Sequence, residues 1–417
     1  MKIGMLCPEF PPELSACYHG GITTYAVNMV NGYSDLGHEV HIFAPGREKG
    51  TASYYSKATV HRIPHQYYAG FSNIHRAIAF FLLDLHFFIQ VKRESSRGRF
   101  DVIEIIDWNT PAWSVATFGS YGRLIVKLHG PSDFVRLLNH AGNGGPLARL
   151  TCTRERAIAL RADVLVAAAD VLSIEMPRIW RTHRKIPVLA DPVGISQEAS
   201  DSHTSIVTAD PNSTTKTILA VGRLEERKGQ ATLVRALNLL QEPGWIWKVL
   251  FIGHDTLTGP GESSYKAFIE DLADPQVRQR MHFLGPIANE MLSNYYRSVN
   301  VVVVTTMDGN YGYTTLEAMA AGAAVISTRQ PGGHDSGYLQ DQVNGLLVPA
   351  GDPIALKEAL SKVLGNPDMA KQLGNAARNH IRENYSPAAV ASQLLAVEPN
   401  IKGTPIKSAD YADERRF

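Results

Sequence analysis

Arg223 and Lys228 fall in the segment Val-Gly-Arg-Leu-Glu-Glu-Arg-Lys-Gly, 221–229, just after a strand pattern and ahead of a helical one. Two cations at the carboxyl end of a strand suit a diphosphate, because they offset negative charge on a departing group without a metal. A solvated charged loop is the alternative, since Glu225 and Glu226 intervene. Glu317 lies about one turn into a helix that follows the β-branched run 301–306 and the turn 307–313. In a buried parallel sheet, strands are unbroken apolar runs, and ligands sit outside their carboxyl ends. Glu317 is therefore placed to reach back over that turn. In Lys-Leu-His-Gly, 127–130, His129 ends another strand. A lone His is more often structural, but a strand end followed by Gly directs it toward a ligand. Gly20-Gly21 precedes a helix whose first residues, Thr23 and Thr24, suit capping, so backbone N–H groups there can approach an anion. Gly285-Pro286 closes one more strand and reads by itself only as a turn.

The elements that must hold these residues alternate. Strands are predicted over 2–7, 39–43, 101–106, 124–128 and 164–168, with helices over 23–36, 77–93 and 146–161. After a Ser/Thr-rich stretch the pattern restarts, with strands over 217–221, 248–252 and 282–284 and helices over 231–240 and 265–272. Helices over 353–364, 369–385 and 387–397 follow. This is the pattern of right-handed βαβ units and doubly wound sheets. A chain of 417 residues suggests two domains of roughly 200 residues each. The predicted division is 1–195, a linker over 196–215, 216–385, and 386–417 as a helix crossing back to the first domain with a frayed tail.

The segments 221–229 and 299–328, with Pro331-Gly-Gly333 and 344–348, resemble the retaining GT-B glycosyltransferases of the group 1 / family 4 type. The resemblance is strong over 217–352 and collinear but weaker over 1–195. It implies two Rossmann-like domains facing across a cleft, the first for acceptor and the second for a nucleotide-sugar donor. It implies that Arg223 and Lys228 bind the donor phosphates, that Glu317 contacts the ribose, and that His129 lies near the donor sugar. Gly285 and Ile287 would hold the base through backbone atoms, and Gly20 and Gly21 would face the donor. In the family a Glu-x7-Glu pair straddles the turn before the Glu317 helix, but the first position here is Gly309. Asp308, or backbone N–H groups of Asn310, Tyr311 and Gly312 beside Tyr313, are the available replacements. The resemblance implies a retaining, metal-independent hexosyltransferase without a cofactor.

Three rivals stand beside this reading: an impaired or non-catalytic nucleotide-sugar-binding relative, a GT-B-fold sugar epimerase, and a Rossmann oxidoreductase. The last lacks a Gly-x-Gly-x-x-Gly after the first strand. An inverting route would need a base, for which His19, Asp107 and Asp133 are candidates. The acceptor, whether glycan, lipid-linked or small molecule, is not legible; Tyr54, Tyr55, Tyr67 and Tyr68 in a loop-rich stretch either stack on it or pack. A net charge of +1 gives no case for nucleic acid. The cysteines Cys7, Cys17 and Cys152 have no metal or redox spacing and suit a cytoplasmic protein. Residues 1–8 read as a strand rather than a signal peptide. The apolar stretch 77–91 is short of the roughly 20 residues that span a bilayer. Its basic flanks, Arg76, Lys92 and Arg93, leave a helix lying on the inner membrane face as an alternative. The preferred reading is a core helix with a few exposed polar positions.

Overall fold

The computed structural model describes residues 1–11, 21–46, 52–55, 58–64, 73–108, 110–138, 145–194, 215–240, 246–307, 312–329 and 337–400. The linker and the tail beyond residue 400 lie outside the described residues, as do His19, Gly20, Tyr67, Tyr68, Asp308, Gly309, Asn310, Tyr311 and the segment 331–333. Two units divide the chain: one takes Ile22–Leu189 with the first strand and the residues from Val390 on, the other Ala190–Ala389 with residues 15–21.

The first unit contains β1 (Lys2–Leu6), α1 (Gly21–Asp35), β2 (Glu39–Gly46), β3 (Ala52–Tyr55), β4 (Ala58–Pro64) and α2 (Asn73–Ser96). It continues with β5 (Val102–Ile106), α3 (Trp113–Phe118), β6 (Arg123–Leu128), α4 (Ser132–Leu138), α5 (Pro146–Arg161), β7 (Val164–Ala167) and α6 (Asp170–Ile179). Its sheet order is β3-β4-β2-β1-β5-β6-β7, parallel except for the β3–β4 pair. Tyr54 and Tyr55 thus sit on an antiparallel edge strand, not in a loop. The order reverses at β1, which pairs with β2 on one side and β5 on the other, so the topological switch point lies at its carboxyl end.

The second unit contains β8 (Thr215–Val221), α7 (Gln230–Asn238), β9 (Ile246–Ile252), α8 (Tyr265–Asp271), α9 (Pro275–Arg278), β10 (Met281–Gly285) and α10 (Asn289–Ser298). Then come β11 (Val301–Val304), α11 (Gly312–Ala321), β12 (Val325–Arg329), β13 (Leu346–Pro349), α12 (Pro353–Leu364) and α13 (Pro367–Asn384). The parallel order is β10-β9-β8-β11-β12-β13, with its switch point between β8 and β11. The Val301–Val304 run is buried at every position, as a strand covered on both faces requires. Each unit is a Rossmann-like, doubly wound α/β domain.

The last helix among the described residues is α14 (Pro387–Ala396). Arg123 at the start of β6 donates to the carbonyls of Leu395 and Val397, and Asn400 pairs with both backbone groups of Leu165 on β7. These bonds attach the residues after α14 to the first unit's sheet.

The 77–91 stretch is a correction. It forms α2, but the positions it leaves exposed are mostly apolar rather than polar: Ile78, Phe81, Leu82, Leu85 and Ile89. Its one internal acid, Asp84, is buried and accepts from the backbone N–H and the hydroxyl of Ser114 on α3. The helix buries Leu83, Phe87 and Val91 with Asp84, and has more apolar side chains than that one face holds.

Candidate active site

The loop after β8 is built by glycines and one buried carboxylate. Gly222 has φ +139° and Gly229 φ +66°, conformations that L side chains rarely adopt. A Cβ on Gly229 would lie 2.1 Å from the Thr305 carbonyl, so only Gly lets this loop close onto the end of β11. Between them Glu225, 6% exposed, holds Arg227 at 2.7 Å and Arg223 at 3.3 Å. Glu225 thus orients Arg223 and Arg227 rather than standing as a competing surface charge. Arg223 keeps an exposed guanidinium, and Lys228 ends a short 3₁₀ turn, Glu226–Lys228.

Backbone bonds tie this loop to its neighbours. Met307 N–H donates to the Arg227 carbonyl at 2.8 Å, and the Thr305 hydroxyl to the Lys228 carbonyl at 2.8 Å. Gln230 donates to the Arg223 carbonyl at 2.9 Å. On the other side Gly253 N–H donates to the Gly285 carbonyl, and Leu224 N–H to that of His254. The carboxyl ends of β10, β9, β8 and β11 therefore form one continuous rim carrying Gly285, Arg223 and Lys228. Ile287, just beyond β10, is half-buried against the core.

Glu317 projects from the second turn of α11, whose first residue, Gly312, has φ +60°. Tyr313 follows it, half-buried. The Tyr296 hydroxyl on α10 donates to Glu317 Oε2 at 3.1 Å. Burial pushes the Glu317 carboxyl above the usual carboxylate range, and the Tyr296 hydrogen bond pulls it partly back.

In the first unit His129 directly follows β6. Asp107, at the end of β5, accepts from the N–H groups of His129 at 2.9 Å and Gly130 at 3.1 Å, and its Oδ1 lies 3.4 Å from His129 Nδ1. Asp107 is accordingly the clamp of the histidine turn, not an unengaged base. Asp133 accepts from the Trp180 indole at 3.1 Å and lies beside Cys152, whose thiol is pushed up to about 12 by burial and then by Asp133. The Tyr25 ring packs on His129 at 4.4 Å, and Lys127 Nζ sits 4.7 Å from the centre of the Tyr25 ring. Behind them Glu104, fully buried, accepts from Tyr25 at 2.5 Å and Tyr33 at 2.6 Å. Burial raises Glu104, and the two phenols and Lys127 partly offset this. Thr23 lies inside α1 rather than at its cap, and donates to Glu9 at 2.5 Å.

Sequence reasoning missed three supports of this site. Arg62 on β4, 4% exposed, donates to the carbonyls of Phe10 and Pro11 and so latches the loop after β1. Trp108 follows Asp107 with φ +66° and is 43% exposed, an unusual conformation for a large ring at a strand end. Its position two residues past the end of β5 was the available signal. The third is the Glu104 network. Among the described residues, His41, His61 and Glu94 form the group with metal-ligand spacing, their ligand atoms within 4.8 Å of one another. Arg97 takes both Glu94 oxygens, at 2.9 and 3.2 Å, and His41 and His61 share a bond of 2.9 Å. His41 also bonds Glu39 Oε1 at 2.8 Å, so each group of this cluster already has a protein partner, and burial lowers His61 to about 4.

Two Rossmann-like, doubly wound α/β units, with these cations and carboxylates at their strand ends, define the class of fold. The family model described as glycosyl transferases group 1 matches residues 204–380, and that described as glycosyltransferase family 4 matches residues 19–192. An uncharacterised glycosyltransferase of Methanocaldococcus jannaschii is 24% identical over 419 residues, covering 95% of this chain and 97% of that one. Sucrose-phosphate synthase of Thermosynechococcus elongatus shares the fold with a TM-score of 0.68 at 19% identity, covering 94% of this chain and 97% of that one. An Anabaena protein solved in complex with UDP-glucose has a TM-score of 0.62 at 16% identity, covering 95% and 98%. The chain belongs to the group 1 / family 4 glycosyltransferases of GT-B type.

Proposed function

We propose that this glycosyltransferase moves a hexose from a nucleotide-diphosphate sugar to an acceptor, with retention and without a metal. The observation that carries the reading is the rim around β8 and β11, where Glu225 orients Arg223 and Lys228 ends the same loop. As the bond from the anomeric carbon to the diphosphate lengthens, negative charge collects on the leaving oxygen. Fixed cations stabilise that charge more than the ground state, which is what lowers a barrier. In the retaining route the acceptor oxygen attacks on the face the diphosphate leaves, and its proton passes to the departing phosphate oxygen. No protein nucleophile is then needed. Gly312 N–H, at the start of α11, adds an anion-binding helix end. Glu317 is assigned to the ribose, Gly285 and Ile287 to the base, and His129 to the donor sugar. The UDP-glucose bound to the Anabaena protein of the same fold supports a uridine donor. Trp108 is the exposed ring we assign to the acceptor.

The first test is a thermal-shift panel of UDP, GDP, ADP and dTDP, since a ligand that binds only the folded state raises the midpoint. A shift with one nucleotide supports the donor reading, and no shift with any sinks it. Gly309 favours a second reading, a member that binds donor but turns over poorly. Gly309→Glu restores the carboxylate of the family motif. A rise in hexose transfer would mark the native loop as an impaired site. Loss of transfer would show that its glycine backbone is used as it stands.

A further inference from the structure

The exposed face of α2 is apolar where a soluble helix is polar. Ile78, Phe81, Leu82, Leu85 and Ile89 are between 38% and 53% exposed. Their spacing of three and four residues makes one continuous stripe. The helix has two acids, Asp84 and Glu94, and both are buried. Its exposed end carries Lys92 and Arg93.

A second basic helix borders this stripe. The Arg154 guanidinium of α5 stacks over Phe80 of α2 at 5.2 Å. α5 exposes Arg149, Leu150 and Arg161 and half-exposes Arg154 and Arg156. Its one acid, Glu155, is buried, where it accepts from the N–H and hydroxyl of Ser132. Phe118, at the end of α3 and 64% exposed, lies 6.4 Å from Phe88 of α2 and widens the apolar ground. Every acid of these two helices is turned inward, so the charges their described outer faces present are cations alone.

We propose that this face of the first unit docks on an anionic bilayer surface. The α2 stripe enters the headgroup boundary, and the cations of α2 and α5 lie among the lipid phosphates. No helix among the described residues is long and apolar enough to cross a membrane, so the contact is peripheral. Charge selects the occupant: a symmetric second copy would set cations opposite cations, whereas an anionic surface complements them. The inference is independent of the donor reading.

The test is co-sedimentation of the full chain with phosphatidylcholine vesicles, with and without phosphatidylglycerol, at low and high salt. Sedimentation velocity without lipid runs alongside. Binding is expected only with the anionic vesicles, weakened by salt, and reduced about fivefold for each cation removed. Phe81→Gln with Leu85→Gln should also release the protein, as should Lys92→Glu with Arg93→Glu. All four positions are exposed, so both variants should keep the parent's thermal midpoint. Equal binding to neutral and anionic vesicles, or anionic binding untouched by either variant, overturns the proposal. So does a lipid-free dimer that Phe81→Gln with Leu85→Gln dissolves while no vesicle is bound.

Discussion

Replacing Arg223 and Lys228 together by Ala is expected to abolish measurable nucleotide-diphosphate binding while the thermal midpoint of the free protein stays near that of the parent. Hydrogen bonds to charged groups contribute about 1.5–3 kcal/mol each, so either single change should cost at least about tenfold in affinity. The fold should survive because backbone and other groups hold the loop. Gly222, Gly229, the Thr305 and Met307 bonds and the buried Glu225 do that. Arg223 is largely exposed and its 3.3 Å pairing with Glu225 is screened, so its removal costs little stability. Calorimetric titration with the nucleotide selected by thermal shift reads the effect. Unchanged affinity in both single variants would remove the phosphate assignment.

Glu317→Gln is expected to weaken nucleotide binding and transfer by about ten- to a hundredfold while leaving stability equal or higher, given the cost of exchanging a charged acceptor for a neutral one. Gln keeps an oxygen for the Tyr296 hydroxyl, so the packing between α10 and α11 is retained. The stability sign follows from the direction of the shift. Burial holds the Glu317 carboxyl above its value in the unfolded chain. The folded protein therefore keeps this proton longer, and stability is lost as pH rises from the ordinary carboxylate range through the raised value. Gln removes that loss. Thermal midpoints of parent and variant should diverge in the variant's favour as pH rises from about 4 toward neutrality. A variant that binds nucleotide as well as the parent would show that the ribose is held elsewhere.

Most of the second unit's rim was legible because its signals are local. A cation-bearing loop between a strand and a helix, and a glutamate one turn into a helix after a β-branched run, follow from periodicity and turn chemistry. Asp107 and Asp133 were legible only as acids after strands. Their engagement with the His129–Gly130 backbone and with Trp180 spans 22 to 47 residues of chain, beyond any local pattern. The strands β3 and β4 were missed for a related reason. Strands with mixed polar residues, such as β3 at the sheet edge and β4 beside it, lack the unbroken apolar run that reveals a central strand.

By itself the sequence determined the βαβ alternation, the division into two units, the cation loop 221–229 and the place of Glu317 one turn into its helix. These depend on residue type and on spacings shorter than one element. Tertiary structure decided which groups are paired and which faces are covered. It set Glu104 under Tyr25 and Tyr33, 71 to 79 residues away in the chain, and closed Arg62 on the carbonyls of Phe10 and Pro11. It turned Asp84 inward to Ser114 and left the α2 stripe outside. Periodicity says which side chains share a face of a helix. Only the long-range packing of neighbouring elements says whether that face meets the core or water.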